Sequence, residues 1–282
     1  MRVIDIVENM NGELLRSCLC YTGINAAGNA SFSGREKDLF LLPPGGAREL
    51  PENSAGFVLS GGEFPHDFYL SLGDCFFRSE YLAKSPLRRL KVIEGGFVGL
   101  SRRGAFLRPV RGAVLTVSDK GSRGERTDTS GPSLKERLAG IGCDTEERAI
   151  VPDSMDEISA RLQEWSDKKD YHLILCTGGT GFSSRDVTPE ALESVAEKFV
   201  PGIGEAMRSA SLKITPRAIL SRAGAVIRGR TLIISLPGSE KAALECFDAI
   251  SGGLRHGIEI LRGWEGECGS AGIRKGERKA GG

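Results

Sequence analysis

Residues 171–192 read Tyr-His-Leu-Ile-Leu-Cys-Thr-Gly-Gly-Thr-Gly-Phe-Ser-Ser-Arg-Asp-Val-Thr-Pro-Glu-Ala-Leu. Tyr171 to Leu175 is a short apolar run, the pattern of a strand buried on both faces of a parallel sheet. Thr188-Pro189-Glu190 reads as a helix start, with Thr as N-cap, Pro at the first helical position and an acid in the first turn. Between strand and helix lies a loop carrying Gly178, Gly179 and Gly181. Glycines let backbone amides approach an anion without an intervening Cβ. Gly-Gly-Thr-Gly alone is equally a tight strand-to-helix turn. The embedded Arg185 and Asp186 favour a ligand site, because they add one charge for a phosphate and one for a metal or polar edge. In an open α/β sheet, ligands sit at this carboxyl end of a strand.

Upstream, Ala113-Val114-Leu115-Thr116-Val117 is a second apolar strand, followed by Ser118-Asp119-Lys120-Gly121 and a polar loop. Asp128-Thr129-Ser130-Gly131-Pro132 then opens a helix with Leu134 and Leu138 on one face. Ser118, Asp119, Asp128 and Ser130 crowd this loop, as ligand groups or as solvated turn residues; the residues alone leave both open. Ala149-Ile150-Val151 reads as a short strand closed by Pro152-Asp153. Ser154 to Glu157 has the form of a capping box, and Ile158, Leu162 and Trp165 recur at helical spacing. With Ser154 as cap, Asp153 is left for function at a strand end. Beyond the central loop, Leu192, Val195 and Phe199 mark a helix face. Pro201-Gly202 breaks the chain before a helix over 203–213. Ala223–Arg228 and Thr231–Leu236 form a hairpin across Gly229-Arg230. Pro237-Gly238 precedes a long helix through Phe247, Ile250, Leu254 and Ile258. The expected architecture is α/β, a three-layer open sheet, mostly parallel.

Residues 1–110 have a different texture, with short apolar runs (Val3–Val7, Leu39–Leu42, Gly56–Leu59, Phe68–Leu72, Leu90–Ile93) between turn signals such as Ser60-Gly61-Gly62. They predict a smaller β-rich domain. Cys18-x-Cys20 reads as two semi-buried strand cysteines in preference to a thiol site. Gly96 to Pro109, with Leu72-Gly73-Asp74, loosely resembles parts of MOSC domains, β-rich modules associated with molybdenum cofactor. The expected domains are 1–110, 111–264 and a disordered Gly-, Lys- and Arg-rich tail, 265–282.

The 282 residues are 40% hydrophobic and 27% charged, with a net charge of +1. That balance gives no electrostatic case for nucleic acid or an anionic membrane. Seven cysteines without a C-x-x-C pair argue against a disulfide framework. The three histidines are far apart in sequence, which argues against a His-based metal site. No apolar stretch reaches spanning length, and the N-terminus lacks the form of a signal peptide. A cytoplasmic protein is expected.

The ordered set of motifs over about 111–262 resembles the molybdopterin adenylyltransferase family, which includes the gephyrin G domain. It comprises Val117-Ser118-Asp119, Asp128-x-Ser130-Gly131, Val151-Pro152-Asp153, Thr177 to Gly181 running to Arg185-Asp186-Val187-Thr188-Pro189-Glu190, Pro201-Gly202-x-Gly204-Glu205, Leu220-Ser221-Arg222 and Leu236-Pro237-Gly238. Phe182-Ser183-Ser184 departs from it, since the family often has Pro and a basic residue there. The resemblance implies transfer of AMP from ATP to the terminal phosphate of molybdopterin, with Mg²⁺, in a homotrimer, upstream of a molybdenum-insertion partner. It implies Asp153 and Asp186 as the catalytic and metal-holding acids. It implies a substrate cradle of Thr177, Gly178, Gly179, Thr180, Gly181 and Arg185, with Pro189, Glu190 and Glu205. Ser118, Asp119, Asp128 and Ser130 would hold nucleotide or pterin, and Ser221, Arg222, Ser235, Pro237 and Gly238 would close the far side. A non-catalytic molybdopterin carrier is the alternative.

Overall fold

The computed structural model describes residues 2–10, 13–17, 21–24, 30–32, 35–36, 38–43, 46–59, 65–72, 75–83, 85–97 and 103–264. Cys18, Cys20, Ser60-Gly61-Gly62, Gly73-Asp74, part of the 96–109 hairpin and the tail 265–282 lie outside them. The chain divides into two compact units, and the second spans Pro109–Gly263.

The first unit is built from strands. One sheet of eight runs in the order Arg103–Leu107, Tyr69–Leu72, Cys75–Tyr81, Arg88–Glu94, Leu39–Leu42, Ala55–Leu59, Arg2–Met10 and Glu13–Ser17. Arg103–Leu107 also pairs with Arg2–Met10, so the sheet closes on itself. Closure removes the free edge of Arg103–Leu107 and leaves Glu13–Ser17 as the strand at the sheet's edge. Leu39, Leu41, Phe57, Phe68, Leu70, Phe77 and Leu90 fill its core. Gly96–Phe97, Tyr21–Ile24, Ala30–Phe32 and Arg35–Glu36 form a separate four-stranded sheet.

In the second unit the strands are β1 (Val110–Val117), β2 (Cys143–Val151), β3 (Leu173–Thr177), β4 (Lys198–Phe199), β5 (Ala225–Arg228) and β6 (Thr231–Leu236). The helices are α1 (Asp119–Ser122), α2 (Ser130–Ala139), α3 (Met155–Gln163), α4 (Thr188–Val195), α5 (Pro201–Leu212) and α6 (Glu240–Arg262). The sheet order is β2-β1-β3-β6-β5-β4, parallel across the first four strands and antiparallel across the last two pairings. Leu115, Ile174, Cys176 and Ile233 pack one face of the sheet against Ile158, Leu162, Ala191 and Leu192 of α3 and α4. Helices α2, α5 and α6 lie together on the other face. Central strands must be apolar on both sides in such a layering, and every residue of β3 and β6 is buried.

Several local expectations are corrected. Strand β2 begins at Cys143 rather than Ala149, because it is an edge strand whose alternating burial admits Asp144, Glu146 and Arg148. Pro201 and Gly202 are the first residues of α5, not a break before it, as the fixed φ of proline suits a helix start. Phe199 belongs to β4 and is 65% exposed, so it is not part of the α4 face. Ser154 is the N-cap residue of α3, but its side chain makes no capping bond. Thr188 is the first residue of α4, not its cap; its hydroxyl turns to the glycine loop. The Gly229-Arg230 turn forms as read, with Arg228 opposite Thr231 and Gly229 at φ +54°.

Candidate functional site

The register brings four strand ends level: Val117 lies opposite Val151, Thr116 opposite Thr177, and Thr177 opposite Leu236. Ser118, Asp153, Gly178 and Gly238 therefore leave the sheet along one edge. The chain crosses from β1 to β2 on one side and then to β3 on the other, so strand order reverses between β1 and β3. Reversal of this kind opens a crevice at the carboxyl ends of the strands. A cavity of about 290 Å³ occupies it.

The glycine loop fits only because of its glycines. Gly178 has φ +110°, and a Cβ on it would stand 2.2 Å from the Val117 carbonyl oxygen. Gly179 has φ +62°, and its Cβ would meet Thr188 Oγ1 at 2.4 Å. Buried Thr188 fastens the loop to α4: its hydroxyl donates to the Gly178 carbonyl (2.8 Å) and its amide to the Gly179 carbonyl (3.1 Å). Arg222 holds the loop's other end, donating to the carbonyls of Gly181 (2.8 Å) and Asp186 (2.6 Å) and pairing with Glu190. The Gly178 amide is spent on the Leu236 carbonyl (3.1 Å), which corrects its expected place in a phosphate cradle. The amides of Gly179, Thr180 and Gly181 have no acceptor among the described residues and are the ones open to an anion.

The acids are organised in two groups. Asp128 accepts from Thr116 Oγ1 (3.0 Å) and from the Gly131 amide (2.9 Å), so it caps α2. Asp119 and Asp153 exchange backbone-to-carboxylate bonds, Asp119 N to Asp153 Oδ2 at 2.8 Å and Asp153 N to Asp119 Oδ1 at 3.1 Å. Arg185 grips Asp119 in a fork of 2.8–3.1 Å bonds, which holds the Asp119 carboxyl below the usual range. Burial pushes Asp153 the other way, upward, and the neighbouring negative charges of Asp119 and Asp186 add to it. Asp186 accepts from the Ser183 amide (2.8 Å), closing the turn 183–186.

Of the residues expected from sequence, Ser118, Asp128, Ser130, Asp153, Thr177, Gly178, Gly179 and Gly238 line the cavity. Asp119, the first residue of α1, and Arg185 and Asp186 of the loop before α4 do not line it but bond to residues that do or lie beside them, while Arg222 and Glu190 brace the glycine loop. Thr177 donates to the Pro237 carbonyl (2.7 Å) and Ser130 to the Gly238 carbonyl (3.3 Å), tying the β6 end to the site. Ser235 is fully buried and bonded with Gly224 inside the sheet. Glu205 is exposed on α5, and Ser221 and Pro189 do not line the cavity. Thr116, Gly121, Arg126, Thr127, Thr129 and Ser239 line it and were missed. Their signal was position alone: each sits in or beside a segment already marked as a strand end or polar loop.

Among the described residues no three His, Cys, Asp or Glu side chains gather as a protein-only metal cage. Mg²⁺ does not require one, since it takes one or two carboxylates and completes its shell with water and substrate phosphates. Asp153 and Asp186 suit that pattern. A methyl group on Gly179 would lie 3.2 Å from Asp153 Oδ1, and one on Gly181 would lie 2.9 Å from Asp186 Oδ2, so both carboxylates stand against the glycine loop.

The chain is 41% identical over 152 residues to a molybdopterin adenylyltransferase of Helicobacter pylori, covering 53% of this chain and 86% of that protein. It is 44% identical over 149 residues to the molybdenum cofactor synthesis protein cinnamon of Drosophila melanogaster, covering 52% of this chain but only 25% of that longer protein. Among solved structures it resembles the molybdopterin biosynthesis enzyme MoaB of Thermus thermophilus, at 45% identity and a TM-score of 0.53 over 55% of this chain and 97% of that one. The tungsten cofactor synthesizing protein MoaB of Pyrococcus furiosus is similar at 34% identity and a TM-score of 0.51, over 55% and 98% of the two chains. Residues 113–256, the segment holding the crevice, match the family described as the probable molybdopterin binding domain, and the chain belongs to that family.

Proposed function

We propose that the chain is a molybdopterin adenylyltransferase, which transfers AMP from ATP to the terminal phosphate of molybdopterin and releases pyrophosphate. The observation that carries this reading is the crevice itself. It offers carboxylates, hydroxyls and the free Gly179 amide at a sheet switch point, and among the described residues no histidine or cysteine lines it. A phosphate nucleophile is already anionic, so the reaction calls for positioning and charge neutralisation rather than a strong base. A terminal phosphate oxygen of molybdopterin attacks the α-phosphorus of ATP. That P–O bond forms as the bond to the β-phosphate breaks, and pyrophosphate leaves with the electron pair.

In this reading Gly179, Thr180 and Gly181 direct amides at phosphate oxygens. Thr188 and Arg222 hold the loop in that posture from behind. Asp153 and Asp186 would hold Mg²⁺, which supplies charge neutralisation on the phosphates when bound. Arg185, by clamping Asp119, keeps the Asp119–Asp153 pair in register. Ser118, Asp128, Ser130 and Gly238 shape the wall that receives the pterin or the nucleotide. We also propose that the chain acts as a homotrimer in the cytoplasm and passes its product to a molybdenum-inserting protein. The apolar side chains exposed on this unit, Phe182, Phe199, Ile214 and Ile219, support self-association. No helix among the described residues is long and apolar enough to cross a membrane.

The test is pyrophosphate release from ATP and Mg²⁺, with and without molybdopterin. Release that needs the pterin and disappears in Asp186→Ala is expected. Molybdopterin bound without any release would make the protein a carrier and overturn the reading.

A further inference from the structure

Among the described residues the cavity wall contains one cation, Arg126, in the polar loop between α1 and α2. Its surroundings make that arginine unusual. Every other arginine around the crevice is committed: Arg123 forks onto Glu125 (2.8 and 3.2 Å), Arg185 forks onto Asp119, and Arg222 pairs with Glu190 and donates to the Gly181 and Asp186 carbonyls. Arg126 makes no ion pair or hydrogen bond among the described residues, although it is only two positions from the carboxylate of Asp128. That carboxylate is itself occupied by the Thr116 hydroxyl and the Gly131 amide. Two acids, Asp128 and Asp153, line the same cavity, so a polyanion entering it would meet repulsion unless a cation faced it. An uncommitted guanidinium presents five donors in a planar fork that matches phosphate oxygens two at a time.

We propose that Arg126 is a phosphate-binding residue, which captures a phosphomonoester or polyphosphate group of the ligand against the free amides of the glycine loop. The proposal rests on the adenylyltransferase reading for the identity of that ligand, but its core claim is chemical: an anion held by a forked arginine. Arg126 is exposed in a loop, so its replacement is expected to leave the fold intact.

The experiment measures binding of ATP, adenosine, molybdopterin and dephosphorylated pterin to the full chain, as wild type, Arg126→Ala and Arg126→Lys, by calorimetry at two salt concentrations. Losing charged hydrogen bonds of this kind is expected to weaken the phosphate-bearing ligand about tenfold or more in Arg126→Ala. Adenosine and dephosphorylated pterin should be unaffected. Arg126→Lys should recover part of the loss, because it keeps the charge and forfeits the fork. The wild-type affinity should also fall more steeply with salt than that of Arg126→Ala. A loss confined to ATP assigns the arginine to the nucleotide, one confined to molybdopterin assigns it to the pterin phosphate, and either supports the proposal. Equal binding by wild type and Arg126→Ala overturns it while leaving the adenylyltransferase reading intact. Binding that depends on Arg126 without any pyrophosphate release sinks that reading and keeps this one. Wild-type protein that binds neither ATP nor molybdopterin overturns both.

Discussion

Replacing Gly178 with alanine tests whether the crevice depends on its glycines. The residue sits at φ +110°, where an L side chain is strained, and the new methyl carbon would lie 2.2 Å from the Val117 carbonyl oxygen. That obstacle is backbone, the last residue of β1 held between β2 and β3, so it cannot swing aside as a flexible side chain could. Backbone strain of this kind costs about 1–3 kcal/mol, and forcing a methyl group into filled space adds about 1–3 kcal/mol. A total near 3 kcal/mol or more is expected, lowering the melting temperature by about 6–12 °C for a unit of this size. The Gly178 amide bond to Leu236 and the Thr188 bond to the Gly178 carbonyl would both be pulled out of line. Circular dichroism at 222 nm is the suitable assay, because every α-helix among the described residues lies in the second unit. Gly179→Ala is the comparison: its φ of +62° is accessible to alanine at lower cost, and its nearest obstacle is the Thr188 hydroxyl. The destabilisation should therefore follow the order Gly178→Ala, then Gly179→Ala. A Gly178→Ala protein with wild-type melting and wild-type pyrophosphate release would refute the claim that the loop needs this backbone.

Three further outcomes follow from the charges and thiols. Burial raises the Asp153 pKa, so its folded value lies above its unfolded one. The stability contributed by its protonated form is complete below the unfolded pKa and is lost as pH rises through the folded pKa. Asp153→Asn should thus be more stable than wild type at pH 7, equal to it in acid, and less active, since it removes a metal-holding carboxylate; urea titrations at several pH values and the pyrophosphate assay check both signs. Arg185→Ala should release Asp119, whose depressed pKa stabilises the fold above its unfolded pKa and loses that effect as pH falls through the folded value. The acid limb of the activity profile should move upward in that variant, and an unmoved limb would separate Arg185 from Asp119. Cys143 and Cys176 are buried, with thiols pushed well above their ordinary value, Cys176 to about 12; neither should react with iodoacetamide at pH 8 until urea unfolds the sheet.

What the sequence made legible divides along a physical line. Strand-and-loop punctuation is local: an apolar run followed by glycines or by Pro-Asp announces a strand end, so Val117, Val151 and Thr177 could be marked without knowing their neighbours. Register turned those separate marks into one crevice, because parallel pairing fixes their levels. Long-range bonding is a different matter. Nothing in the order of residues tells that Arg222 spans 41 positions to the Gly181 carbonyl, or that Ser235, beside the motif Leu236-Pro237-Gly238, turns its hydroxyl into the sheet toward Gly224. Arg222 sits within the motif set and Ser235 next to it, yet one is a brace and the other a strand fastening. The Arg185–Asp119 fork, 66 positions apart, is likewise a product of tertiary closure. A motif marks where the chain must pass close to the site, and the hydrogen bond each side chain makes decides whether it faces the ligand or holds up the residues that do. Arg126 inverts that logic: it lies outside the motifs quoted from the sequence, and at the cavity wall its side chain has no hydrogen-bond or ion-pair partner among the described residues.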